Sequence, residues 1–90
     1  MKNKLCNVIY YKNGQKDKAI ILLNNRSYCE AMVNMFEHVY NKLLSYDDYR
    51  CNDEHSAIID ADDNVLMDLT IMREHYMIDN ENYEIVEAGK

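Results

Sequence analysis

Residues 27–44 have the pattern of one long amphipathic helix, and this helix restricts the folds open to the chain. Ser27 and Glu30 have the spacing of a capping box, in which the serine hydroxyl accepts a hydrogen bond from the backbone N–H of Glu30 and the Glu30 carboxylate can accept one from the N–H of Ser27. Apolar residues follow with the spacing of a single buried helix face. They are Tyr28, Ala31, Met32, Met35, Phe36, Val39, Tyr40, Leu43 and Leu44. One helix cannot bury this face on itself, so the rest of the chain must form a layer that receives it.

The segment before this helix predicts a β-hairpin. Residues 4–11 and 18–23 are rich in strand formers and flank Asn13-Gly14, a pair typical of a type I′ turn. Both faces of the hairpin are partly apolar, so the pattern does not decide which face meets the helix. With a two-residue loop, the paired residues would be Leu5 with Leu22, Cys6 with Ile21 and Val8 with Ala19.

The segment after the helix predicts a second hairpin and one further strand. Residues 55–60 and 65–71 have strand patterns around a turn at 61–64. In the tail, residues 72–76 fit either a short helical turn or a strand that continues past a bulge. Residues 77–78 and 83–87 then have strand patterns around a turn at 79–82. The helix has no glycine stop and could continue to Arg50. Before the first of these strands, residues 51–54 are polar and predict a loop.

Together these patterns predict a single α+β domain over residues 1–90. One long amphipathic helix would pack on a mainly antiparallel sheet of about five strands, in the order ββαβββ. The pattern does not determine the order of the strands within the sheet.

Size and composition favour a cytoplasmic binding protein. Ninety residues provide one core and little room for a deep substrate cavity. No stretch approaches the ~20 apolar residues of a membrane span, and the N-terminus lacks the apolar segment of a secretory signal. Cys6, Cys29 and Cys51 are odd in number and widely spaced, so we expect reduced thiols. We expect Cys6 and Cys29 to pack as small apolar groups. We also expect a cytosolic location, which would be the host cytosol if the chain is phage-encoded.

The formal net charge of −6 is unevenly distributed along the chain. Residues 1–26 carry six basic residues and one acidic residue, a net charge of +5. Residues 27–90 carry four basic and fifteen acidic residues, a net charge of −11. The negative electrostatic field of residues 27–90 repels nucleic acid and anionic membranes and attracts basic surfaces. The alternative is that the acid serves only solubility and that the basic hairpin lies against it.

The chain contains no pattern that predicts a catalytic, cofactor or metal site. Oxygen ligands with calcium-loop spacing occur at Asp60, Asp62, Asn64 and Asp68. Val65 then replaces the required glycine and Ile71 the closing carboxylate, so this pattern favours an acidic turn. Cysteines and histidines lack the paired spacing of a zinc site, and we expect His38 to be solvated on the polar face of the helix. We therefore predict no enzyme activity, no metal and no cofactor.

An acidic band with tyrosines is the remaining candidate binding surface. Spaced carboxylates on a rigid scaffold can occupy the positions of nucleic-acid phosphates and pair with Lys and Arg of a partner's groove. Tyrosines supply rigid contact area. The predicted partner-binding residues are Asp47, Asp48, Tyr49, Asp53, Glu54, Asp60, Asp62, Asp63, Tyr76, Glu81 and Tyr83.

The general profile of the chain is one small, acidic, Asn- and Tyr-rich domain without proline. This profile is similar to that of phage- or mobile-element-encoded inhibitors such as anti-CRISPR proteins, and the similarity covers no specific residues. Independently of this similarity, the net charge of −11 over residues 27–90 without any site chemistry favours a non-enzymatic binding role. We therefore expect a non-enzymatic inhibitor that occupies the basic nucleic-acid-binding surface of a larger protein, with no membrane and no nucleic acid as direct partners.

Three alternatives stay open at this point. One is an enzyme or nucleotide-sequestering protein whose pocket forms between subunits. An apolar sheet face could make a homodimeric housekeeping or assembly domain, in which the acidic surface is inert. The basic N-terminal hairpin could instead contact nucleic acid directly, with its lysines along the backbone and with Tyr10 and Tyr11 stacked on bases.

Overall fold

A computed structural model describes residues 3–45, 50–52, 57–59, 61–68, 70 and 73–89. Within these ranges it has one α-helix, seven strands and a 3-10 turn at Lys16–Lys18. The elements are β1 Cys6–Lys12, β2 Ile20–Arg26, α1 Tyr28–Leu44, β3 Arg50–Asn52, β4 Ala57–Ile59, β5 Val65–Asp68, β6 His75–Ile78 and β7 Glu81–Glu87. No helix in this part of the chain is long and apolar enough to cross a membrane.

The strands form two antiparallel sheets. The larger sheet has the order β2-β1-β7-β6, and the smaller sheet has the order β3-β4-β5. The predicted α+β class, with one helix on mainly antiparallel strands in the order ββαβββ, is confirmed. The structure adds the three-residue strand β3 and divides the strands between two sheets, so seven strands stand where about five were expected. A strand as short as β3 has too few residues to show an alternating pattern.

The N-terminus of α1 has the predicted cap. Ser27 Oγ accepts a hydrogen bond of 3.2 Å from the backbone N–H of Glu30. The Glu30 carboxylate lies 3.7 Å from the Arg26 guanidinium. The cap satisfies one of the free N–H groups of the first turn, and so the helix begins at Tyr28.

The C-terminus of α1 lies at the last residue of the predicted helix, Leu44. The hydroxyl of Ser45 donates a hydrogen bond of 2.6 Å to the carbonyl of Lys42, which competes with helix continuation. The sequence left open an extension to Arg50, but Arg50 begins β3. The predicted loop at 51–54 is wrong at its first two residues, which also belong to β3, and its other two lie outside the described residues.

The first hairpin has the predicted turn but a different register. Asn13 and Gly14 have positive φ angles of 54° and 73°, as a type I′ turn requires. Val8 pairs with Leu23, however, rather than with Ala19. The 3-10 turn that follows lengthens the connection, and two irregularities between β1 and β2 shift the pairing further.

The core lies between α1 and the larger sheet, and the smaller sheet contributes to it. The helix buries Ala31, Met32, Met35, Val39 and Leu43. The same cluster contains Cys6, Val8, Ile58, Met67, Tyr76, Tyr83 and Ile85. The face of β1 that meets the helix is therefore the one with Cys6 and Val8, and the expected burial of Cys6 is confirmed. Full burial of a large aliphatic side chain contributes about 1.5–3 kcal/mol, so this cluster is the main source of stability.

Two side chains of α1 lie in environments that differ from the predicted ones. Cys29, expected to pack as an apolar group, is exposed. His38, expected to be solvated, is half-buried beside Tyr83, with ring centroids 6.5 Å apart. The cause is the position of the buried arc, which is centred on Met35 and Val39 and leaves Cys29 at its margin.

Candidate functional site

The predicted partner-binding residues fall into two groups. Six of them lie outside the described residues, namely Asp47, Asp48, Tyr49, Asp53, Glu54 and Asp60. The structure describes the other five and separates them. Asp62 and Asp63 are exposed in the turn between β4 and β5. Tyr76, Glu81 and Tyr83 belong to β6 and β7 of the larger sheet.

Tyr76 and Tyr83 are core residues and not contact residues. Each is only 7% exposed. The Tyr76 ring packs edge-on against Phe36 at 5.6 Å, and the Tyr83 ring packs against Tyr10 at 5.2 Å. Side chains alternate between the two faces of a strand, and the inner face of this sheet takes both tyrosines. Their rings therefore contribute to the core and offer little area to a partner.

Glu81 is the centre of a polar cluster at the margin of the core. Lys42 Nζ lies 2.7 Å from Oε2 of this carboxylate, and Lys12 Nζ lies 3.8 Å from Oε1. The Tyr10 hydroxyl also donates a hydrogen bond to Oε1. Hydrogen bonds from Lys42 and Tyr10 hold the pKa of Glu81 below its ordinary value. Burial and the bond to Glu81 raise the pKa of Tyr10 to about 12. Glu81 is thus a counter-ion within the chain, and its charge is not offered to a partner.

A second cluster on the opposite face of the sheet contains Glu84. The Tyr11 hydroxyl donates a hydrogen bond of 2.9 Å to Oε2 of Glu84, and Lys16 Nζ donates one of 2.9 Å to Oε1. Burial acts to raise the pKa of Glu84, but hydrogen bonds from Lys16 and Tyr11 outweigh it and hold this pKa below its ordinary value. The two clusters tie the basic hairpin to β7. Internal neutralisation, considered above for the whole acidic surface, therefore holds for Glu81 and Glu84.

Asn82 is a buried polar residue that the sequence pattern assigned to a turn. Its Oδ1 lies 3.0 Å from Nε2 of His75. Its Nδ2 donates hydrogen bonds to the carbonyls of Tyr11 and Asn80. A buried amide with these partners joins β1, β6 and the turn between β6 and β7, which is a structural role.

Among the described residues, no three His, Cys, Asp or Glu side chains come together as a metal site requires. At the end of β5, Asp68 Oδ1 accepts hydrogen bonds from the backbone N–H and the hydroxyl of Thr70, at 2.8 and 2.6 Å. These bonds lower the pKa of Asp68. Asp60 and Ile71 lie outside the described residues. Asp68 is thus engaged by its own turn.

The net charge of the chain is concentrated in one stretch. Residues 46–70, which we name the acidic segment, hold eight acidic residues and one arginine, a net charge of −7. All other residues together hold nine basic and eight acidic residues, a net charge of +1. The acidic segment contains all three strands of the smaller sheet, whereas α1 and the larger sheet lie outside it. The negative net charge of the molecule therefore comes from the part of the chain that contains the strands of the smaller sheet.

The chain matches no protein-family model, no curated protein and no solved structure. Any functional inference therefore depends on the charge distribution and on the surfaces of the molecule itself.

Proposed function

We propose that this chain is a small, non-enzymatic binding protein whose acidic segment occupies the basic nucleic-acid-binding surface of a larger protein and inhibits it. The observation that supports this proposal is the net charge of −7 over residues 46–70, against +1 for the rest of the chain. A field localised in this way orients a basic partner toward one part of the surface. Inhibitors encoded by phages and mobile elements, such as anti-CRISPR proteins, are the class of protein that the proposal fits.

The ion pairs outside the acidic segment support this localisation. Glu81 and Glu84 are engaged by Lys12, Lys16 and Lys42 at distances between 2.7 and 3.8 Å. The pairs made by the exposed Lys12 and Lys16 add only about 0–1 kcal/mol each to stability. They cancel charge locally, however, so a basic surface meets its strongest attraction at the acidic segment.

The turn between β4 and β5 presents two carboxylates of the acidic segment to solvent. Asp62 and Asp63 are both exposed there. Lys and Arg side chains that normally hold phosphates form short, charge-assisted hydrogen bonds with carboxylates as well. Association through such contacts is fast and weakens as salt is added.

Direct nucleic-acid contact through the basic hairpin has less support. Lys12 and Lys16 lie against glutamates of β7. The hydroxyls of Tyr10 and Tyr11 donate to the same glutamates, and the Tyr11 ring is buried. A base stacks only on a ring whose face is accessible, so this hairpin is a poor platform for a nucleic acid.

The test is a competition experiment. The chain is titrated into complexes of DNA- or RNA-binding proteins with a fluorescent nucleic acid, and release is followed by anisotropy at several salt concentrations. We expect release from a target protein, with an apparent affinity that falls as salt rises. Exchange of Asp47, Asp48, Asp53 and Glu54 for Lys should weaken release by at least about tenfold, since several charge contacts reverse sign.

A matched pair of milder variants separates local from global charge. Asp62→Asn/Asp63→Asn removes two exposed carboxylates from the acidic segment, and Asp17→Asn/Asp79→Asn removes two from elsewhere. Each pair includes one residue with positive φ, 66° at Asp63 and 51° at Asp79, which asparagine tolerates. The first pair should weaken release about threefold or more, and the second by less than about twofold. Release that ignores salt, or equal effects of both pairs, would contradict the proposal.

A further inference from the structure

Helix α1 carries a second apolar strip, which the described part of the fold leaves open. We name it the α1 stripe, and it consists of Cys29, Val33, Phe36, Tyr40 and Leu44. Val33 is 52% exposed, Leu44 is 44% exposed and Cys29 is also exposed, whereas Phe36 and Tyr40 are half-buried. These residues are spaced by four and three positions, which is the spacing with which one helix packs on another. The spacing therefore favours a helix as the occupant.

Two adjoining grooves follow the α1 stripe. One has a volume of about 290 Å³ and is lined by Leu23, Cys29, Glu30, Val33, Asn34 and Glu37. The other has a volume of about 310 Å³ and is lined by Val33, Phe36, Glu37, Tyr40 and Asn41. Since both grooves include Val33 and Glu37, they meet at the middle of the stripe and provide pockets for successive side chains of a docked helix.

Two glutamates lie beside the α1 stripe. Glu37 is exposed, and the Glu30 side chain is 63% exposed with its carboxylate 3.7 Å from Arg26. They are two helical turns apart, so they border the same side of the stripe. Arg26 offsets part of the Glu30 charge, so Glu37 is the main charge of this rim. An apolar floor beside this carboxylate is complementary to a helix that carries apolar residues flanked by Lys or Arg.

The same glutamates disfavour a second copy of this chain as the occupant. Two copies that packed antiparallel through the stripe about a two-fold axis would bring Glu30 and Glu37 of both helices to one side of the interface. Like charges at such positions repel each other. Charge therefore disfavours an antiparallel pair of copies and favours a basic helix as the occupant.

We propose that the α1 stripe is a docking site for a basic amphipathic helix of a partner protein. The site goes beyond the proposed function, because it shares no residue with the acidic segment and relies on apolar contact as well as on charge. The chain thus has two separate binding surfaces, one electrostatic and one amphipathic.

A synthetic helical peptide of three heptads is the probe for this site, with Leu at the a and d positions, Lys at e and g, and a fluorophore. Its binding to the whole chain is measured by anisotropy at physiological salt. Val33→Gln should weaken binding about tenfold, since it removes an apolar contact at the centre of the stripe. Ile21→Gln is the matched control, because Ile21 is 55% exposed on a different element and its exchange should change the affinity by less than about twofold.

Charge is tested with a second peptide that carries Glu in place of Lys. It should bind the native chain at least about tenfold more weakly, and Glu37→Lys should reduce this difference. Gln is a better helix former than Val, so the Val33 variant should keep its helix content, which circular dichroism checks.

Equal affinities of the Val33 and Ile21 variants for the basic peptide would overturn the proposal. A stable dimer in sedimentation that Val33→Gln dissociates would also overturn it, since a second copy would then be the occupant. The variants at Asp62 and Asp63 do not touch the stripe, so failure of this site and failure of the proposed function give different results.

Discussion

Glu81 connects three elements through one carboxylate. It joins α1 through Lys42 and β1 through Tyr10 and Lys12. The sequence predicts Glu81 as a partner-binding residue, because a glutamate among acidic residues on a short strand has the pattern of a solvated charge. The opposing lysines are remote in the chain, and no local pattern reveals them. The pairing of Glu81 within the chain is therefore visible only in the tertiary structure.

Acid is expected to destabilise the fold through Glu81. The pKa of Glu81 in the folded protein lies below its ordinary value of 4.5. Its contribution to stability is therefore present above about pH 4.5 and is lost as the pH falls through the folded pKa. Glu81→Gln should cost about 1.5–3 kcal/mol at pH 7, the range for hydrogen bonds to a charged group.

Urea unfolding of the native chain and of the Glu81→Gln variant at several pH values measures this effect. The two free energies of unfolding should converge as the pH falls from 4.5 through the lowered pKa of Glu81 in the folded protein. A difference that stays constant from pH 7 to pH 3 would show that the Glu81 charge does not stabilise the fold.

At the scale of elements, turn residues determine where strands end but not how they pair. Asn13-Gly14 and Asp79-Asn80 all have positive φ. The second pair joins β6 to β7 as a two-residue loop, whereas the first leads into the 3-10 turn at Lys16–Lys18. Lys16 in this turn contacts Glu84. The sequence predicts both turns because left-handed residues have local signatures, and it misses the register because the longer connection is held by a remote strand.

The helix cap provides a prediction at this scale. Ser27→Ala should lower the free energy of unfolding by about 1 kcal/mol, because the N–H of Glu30 loses its acceptor. Ser27→Gly should lower it by only a few tenths of a kcal/mol, since glycine leaves that N–H accessible to water. Urea denaturation of the three proteins measures both values. Equal losses for both variants would mean that the hydroxyl does not cap α1.

At the scale of the whole molecule, the fold class was predictable and the distribution of charge was not. The α+β class follows from local periodicities, of which the stretch that became α1 is the clearest. The basic hairpin and β7 are paired through long-range contacts, which the sequence does not show. The sequence therefore indicates a division of charge at residue 26, whereas the structure leaves the excess negative charge in the acidic segment. The burial of Tyr76 and Tyr83 was missed for the same reason, since an isolated tyrosine has the same pattern in a core as on a surface.

Segregation of charge is the central claim, and nuclear magnetic resonance tests it without any partner. Two paramagnetic cosolutes of the same shape, one cationic and one anionic, are added in turn, and the relaxation enhancement of each amide proton is compared. We predict a strong preference for the cationic probe at amides of residues 50–52, 57–59 and 61–68, and nearly equal enhancements at amides of β1 and β7. A uniform preference for the cationic probe over the whole surface, or a preference as strong at β7 as at residues 61–68, would contradict the account.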